Sequence, residues 1–318
     1  MKDQKLKLWM GVGVATLLAS SGAWAEEGGE SGHDEMVKAG DHGGEGGESH
    51  GGEGGEHHGG EGGEGGEHHG GEMGQAFSYF SAGGEGGEGG EGGEGGEGGS
   101  SAAPVVSDGA RIAMIHMMQG HLMAARELIK AGEVAEGRPH LTHPWIEVYP
   151  MAERSLKAHD QGQLGKRLKN LAEQAGNVEQ WSDVSADFNA AWKAMDKALS
   201  AVSDDQPEAP ATVAKVMLSL TKQAVLEYDE ALEDGRFAAV HEYQDGRGFV
   251  LAAREYLERN KTGLMKQNKE AWRDTNKILD ELQKAWPTAV PPTDPVVKPA
   301  DLYATQARLE LALAPYLY

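Results

Sequence analysis

The chain has no cysteine among its 318 residues. That excludes disulfides, thiolate metal sites, a lipid anchor on Cys and covalently attached c-type haem. An exported protein of this composition must be stable in an oxidising compartment through its core alone. Beyond the first 25 residues no apolar run approaches the roughly 20 residues that cross a bilayer as a helix. Positive charge is scarce, 29 Lys and Arg against 51 Asp and Glu, for a net charge of −22. The imbalance is uneven. Residues 26–107 hold 19 acidic side chains against Lys38 alone, residues 1–25 are net +2, and residues 108–318 are left with −6. No part presents a basic face for nucleic acid or anionic lipid. A nucleophile elbow, a His-Glu-x-x-His run and a phosphate-cradling Gly loop between strand and helix are also missing, so the chain is not expected to be an enzyme.

What is present falls into three parts. Residues 1–25 read as a cleaved signal peptide: Lys2, Lys5 and Lys7, then the apolar stretch 8–18, then Ala23-Trp24-Ala25. The expected location is the periplasm. Residues 26–107 repeat Gly-Gly-Glu, with His33, His42, His50, His57, His58, His68 and His69 interspersed. Glycine loses the most backbone entropy on ordering, and repeating Glu side chains repel one another, so this tail is expected to be disordered. It is either a solvated spacer or a weak metal collector, since imidazoles suit Zn, Cu, Ni and Fe. Its one apolar island, 76–80, reads as a docking motif.

From residue 108 glycine becomes sparse and helical periodicity appears. The expected helices run over 108–131, capped by Asp108 and stopped by Gly132; over 144–159, kinked at Pro150; and over a short segment carrying Leu164, Leu168 and Leu171. Next comes the stripe from Trp181 to Val202. A break at 203–210 divides 108–205 from 206–318 as two helical subdomains. Helices over about 211–233, 236–260 and 264–286 follow, then a Pro-rich connector and a helix over about 300–314. No strand is expected. Amphipathic helices on short turns bury their stripes only against one another, which predicts an all-α helical bundle behind a long Gly/Glu/His tail. A repeat relates the hairpin after Leu122 to the hairpin after Leu226, in keeping with two related subdomains.

The chemistry lies in histidines. Six fall in the helical part, and five of them lie between 116 and 159. His116 and His121 share a helix but point about 140° apart. His140 and His143 have metal-ligand spacing beside two prolines that stiffen the backbone, and Glu147 follows one turn later. Antiparallel packing would bring His121 or His116 against His143 or Glu147. His241, Gln244, Gly248 and Glu255 form a polar ladder on a partly buried face. Glu227, equally far from the Gly235 turn, is placed to meet His241. The candidate metal ligands are therefore His121, His140, His143, Glu147, His116, His241 and Glu227. The bland alternative makes His143 a cap, leaves His140 exposed, and sets Glu147 against the helix dipole. Methionines 114, 117, 118 and 123 around His116 and His121 suit Cu(I), or core filling.

The stretches 120–122, 140–147 and 242–249 resemble those of uncharacterised exported α-helical proteins of proteobacteria. The helix ending in Ile278-Leu279-Asp280-Glu281-Leu282 is similar to the imelysin-like periplasmic iron-uptake proteins, a resemblance that implies a helical bundle concerned with metal uptake. Their Gly-x-His-x-x-Glu motif is absent, because Leu122, Met123 and Ala124 follow His121. Three functions remain open. One is a periplasmic protein binding a divalent ion, iron, zinc or copper, with the tail as collector. Another is an envelope adaptor that uses the tail as a spacer and binds a protein partner. The third is a b-type haem protein or enzyme.

Overall fold

A computed structural model describes residues 75–80, 107–203 and 209–318. The expected signal peptide, most of the tail, and 204–208 in the expected break lie outside the described residues. Helix α1 (Asp108–Ala131) spans the expected range, but its cap lies one residue earlier. Ser107, not Asp108, is its cap, because the Ser107 hydroxyl accepts from the Ala110 amide while Asp108 sits in the first turn and pairs with Arg111. Gly132 ends it in the left-handed region, with φ 93°. Every residue from 110 to 125 is buried, so α1 is surrounded on all sides rather than amphipathic.

Helix α2 (Val134–Gly137) and helix α3 (Pro139–His143) lead through a π-helical segment, Pro144–Val148, into α4 (Tyr149–Ala158). The backbone therefore turns helical five residues before the expected start. Pro150 has no N–H to donate into the preceding turn, and the wider π turn, closed from the Tyr149 amide to the Pro144 carbonyl, precedes it. Helices α5 (Gln163–Gln174), α6 (Trp181–Ser203) and α7 (Pro210–Glu230) follow. The expected helix over 211–233 ends early. Asp234 (φ 51°) and Gly235 (φ 79°) instead make a two-residue turn, pairing β1 (Leu232–Glu233) with β2 (Arg236–Phe237) in antiparallel register. Helix α8 (Val240–Arg259) comes next. The expected helix beyond it is two helices, α9 (Lys261–Gln267) and α10 (Lys269–Gln283), broken where the Asn268 side chain caps the Ala271 amide. Helix α11 (Pro299–Leu317) closes the chain.

Helix α8 packs along α7 and α1, α1 along α6 and α7, and α11 along α7 and α10. Helices from both sides of the 203–210 break thus share one core, which holds Ile115, Leu122, Tyr228, Phe249, Tyr256 and Trp286. Met114, Met117 and Met118 fill that core as well. A different match from the expected one, which paired the end of α1 with the end of α7, relates α1 to α8: Gly120, Ala124, Ala125, Arg126 and Glu127 recur in order as Gly248, Ala252, Ala253, Arg254 and Glu255. The two equivalent glycines touch. A Cβ added at Gly248 would lie 2.3 Å from the Gly120 carbonyl oxygen, so only glycine lets the two backbones meet here. The apolar island of the tail docks on this bundle. Ala76 is fully buried, the Phe80 ring lies against Gly109, and Lys222 lies over the Tyr79 ring.

Candidate metal centre

The contact between Gly120 and Gly248 sets the separation of α1 and α8, and His121 and Asp245 lie beside it. The His121 Nδ1 is 2.5 Å from Asp245 Oδ1. Helix α3 supplies the other two rings: His140 Nδ1 lies 2.7 Å from Asp245 Oδ1 and His143 Nδ1 lies 2.8 Å from Asp245 Oδ2. Three imidazoles from two helices therefore converge on one carboxylate from a third. The ligand atoms of His121, His140, His143 and Asp245 all lie within 4.8 Å of one another. The rings pack edge to face, His121 on His143 and His140 on His143, and Phe249 closes the apolar side of His121. On the other side of His121 and His143 stands Glu147, carried by the π segment. Its carboxylate oxygens are 3.7 Å from His121 Nε2 and 3.7 Å from His143 Nε2.

The electrostatics follow from burial. Burial alone would raise the Asp245 carboxyl. The charges of His121, His140 and His143 and the hydrogen bond from His121 outweigh it and hold Asp245 well below the usual carboxylate range. An ionised Asp245 only accepts, so each Nδ1 carries the hydrogen of its bond. Burial opposes the charged form of His140, yet Asp245, a bond to Gln244 and the charge of Glu242 push this ring up; it donates Nε2–H to Gln244 Oε1 at 2.7 Å. For His143 burial wins, with His121 and His140 adding repulsion, and its pKa is lowered. Glu147 is pushed up to about 9 by burial and by the negative charges of Asp245 and Glu242. At neutral pH the group therefore keeps its proton unless a cation takes its place.

Of the seven ligands expected from the sequence, His121, His140, His143 and Glu147 are brought together. The bland alternative for His140 does not hold, because that ring is fully buried. His241 stands at the rim, half-exposed, its ring on His140 and its Nε2 3.8 Å from Glu136. It does not meet Glu227. Glu227 is buried on α7 and accepts from Gln223 at 2.7 Å; burial, Glu242 and Asp245 raise its pKa. His116 points away from the cluster, as the helical angle requires. It is hydrogen-bonded to Gln119 and lies on the Tyr256 ring, with burial and Arg259 pushing it down to about 3. The clustered ligand atoms belong to three imidazoles and one carboxylate, and the chain has no cysteine.

The sequence reading missed Asp245. It stands between Gln244 and Gly246 in a stretch conspicuous only for its glycines, whose role is close packing: a Cβ at Gly246 would meet the Ala224 carbonyl oxygen and Trp286. The available signal was its place four residues after His241, on the polar ladder already noted. Buried carboxylates with histidine neighbours suit a hard or borderline divalent ion such as iron, zinc or manganese better than Cu(I).

Residues 203–317, running from the end of α6 to α11, match a family described as the iron permease-associated 4-helix bundle domain. That segment contributes Asp245 and Gln244, while the three imidazoles and Glu147 precede it. The match is not to the imelysin-like proteins. No curated protein and no solved structure matches the chain.

Proposed function

We propose that this is a periplasmic, non-enzymatic protein that binds a divalent metal ion, iron foremost, and serves iron uptake. The observation that carries the reading is the convergence of His121, His140 and His143 on Asp245, with Glu147 alongside, inside a bundle core. Burying this many ionisable groups at one point is costly unless an ion or proton joins them. The match of α7–α11 to an iron permease-associated domain supports iron as the ion. The mixed imidazole and carboxylate donors, with no thiolate, fit Fe(II) as well. In this reading the Gly/Glu/His tail gathers ions weakly at seven histidines and raises their concentration near the bundle.

The test is anaerobic Fe(II) titration of the full chain against the double variant His140→Ala, His143→Ala, both checked for helicity by circular dichroism. One equivalent of tight binding is expected in the wild type and none in the variant, over an unchanged background of weak tail sites. Equal tight binding in the two proteins would remove the site from the bundle.

A further inference from the structure

The cluster has two faces, and they differ in spacing. On the Asp245 face the three Nδ1 atoms stand 2.5–2.8 Å from carboxylate oxygens. These are hydrogen-bond lengths. Two donors sharing an ion with bonds of about 2.1 Å stand roughly 3.0–3.5 Å apart, so no cation fits between an Nδ1 and the oxygen it touches. On the Glu147 face both gaps are 3.7 Å. That is too long for a hydrogen bond and close to the spacing of donors around a common ion.

The hydrogens point the same way. Asp245 accepts from Nδ1 of each ring, which leaves Nε2 of His121 and His143 facing the Glu147 carboxyl group. With the Nδ1 hydrogens committed to Asp245, the gap between these nitrogens and Glu147 is filled either by the proton that Glu147 keeps or by a cation that displaces it. His140 has no nitrogen to spare, since Nδ1 is bonded to Asp245 and Nε2 to Gln244. Glu147 and His143 keep 11% and 14% of their side-chain surface exposed, against 3% for Asp245, so the Glu147 face is the one an ion can reach from solvent.

Building on the metal-binding reading, we infer that the cation sits between Glu147 and the Nε2 atoms of His121 and His143, and that Asp245 is a positioning residue that orients the rings rather than a ligand. A carboxylate behind the ring hydrogen, fixing the tautomer and the aim of a metal-bound imidazole, is a recurrent arrangement. Here one carboxylate serves two such rings, with His140 anchoring it. Two imidazoles and one carboxylate leave further positions of the ion open, a donor set suited to Fe(II) and one that allows the ion to be passed on.

Co(II) is the probe, added to the full chain and to three variants that preserve shape. Glu147→Gln is expected to weaken tight Co(II) binding by more than about 100-fold and Asp245→Asn by about 10- to 100-fold, with His140→Gln affected less than either. Proton spectra of the Co(II) form are expected to show two hyperfine-shifted, solvent-exchangeable imidazole N–H signals that exchange slowly in the wild type and fast in Asp245→Asn. A merely structural role for Asp245 would not move that exchange rate selectively. If Asp245→Asn abolishes binding while Glu147→Gln binds as the wild type does, the ion sits on Asp245 and the inference falls, with the metal-binding reading intact. If the wild type shows only the weak binding of the tail, both fall.

Discussion

His116 and His121 occupy one helix, five residues apart, and are both buried, yet they do opposite things. His121 meets a carboxylate. His116 meets the neutral Gln119 amide at 2.7 Å and the Tyr256 ring, and the charge of Arg259 opposes its protonation. Its pKa of about 3 makes it a structural liability in acid. In the unfolded chain this imidazole takes a proton below about 6.5, whereas in the folded protein it refuses one until about 3. The unfolded state therefore binds more protons across that window, and stability falls as pH drops through it. Asp196, Glu255 and Arg259 line the same pocket. The variant His116→Gln keeps a donor for Gln119 and cannot titrate. Its urea midpoint is expected to fall less than that of the wild type between pH 7 and pH 4. Parallel decline of the two proteins would show that His116 is not the acid-sensitive group.

At the scale of elements, the crossing of α1 and α8 decides whether the site exists, and it depends on two glycines. Replacing glycine by alanine inside a helix ordinarily stabilises by about 1 kcal/mol. At Gly248 the new methyl would lie 2.3 Å from a backbone oxygen of α1, which cannot move like a flexible side chain. Overpacking of this kind costs about 1–3 kcal/mol, with rigid backbone contacts at the upper end, so the clash outweighs the propensity gain. Gly248→Ala is expected to lower stability by about 1–2 kcal/mol net and to weaken metal binding by pushing Asp245 away from His121. Gly263→Ala, in α9 with open space around its Cβ, is the control and is expected to gain up to about 1 kcal/mol. Urea unfolding of the two variants reads out both signs. These elements also show what sequence reasoning reaches. Helix limits marked by periodicity and a Gly stop, as at Gly132, were legible because they are local chemistry. The π segment was not, since it is a compromise between two prolines and tertiary packing. Neither was the division of α9 from α10, which turns on whether Asn268 caps a new helix or continues an old one. The His140, His143 and Glu147 part of the site was legible from spacing. Asp245 was not, because its partners lie more than 100 residues away and only the Gly120–Gly248 crossing brings them into register.

At the scale of the whole molecule, residues 75–80 join a segment of tail composition to the bundle. Tail composition alone gives no reason to order, since glycine and like charges dominate on either side. The island differs in offering aromatic area. Phe77, Tyr79 and Phe80 pack against the core, the Tyr79 hydroxyl reaches Glu310 on α11, and Ala76 is wholly enclosed. Contacts to the start of α1, to α7 and to α11 bind the tail to helices of both halves. A charge at the wholly buried Ala76 would be cut off from water, and burying it costs more than the three half-buried aromatic residues gain by docking. Ala76→Asp is therefore expected to release the island while leaving the bundle folded, since no element of the bundle depends on it for its own hydrogen bonds. Within residues 26–107 the aromatic residues are Phe77, Tyr79 and Phe80 alone, so chymotrypsin reports the release directly. Cleavage after these residues is expected to speed up by about tenfold or more in Ala76→Asp, as protection worth about 1.4 kcal/mol or more is lost, with the circular dichroism of the bundle unchanged. Equal cleavage rates in the two proteins would mean that the island does not hold the tail to the bundle in solution.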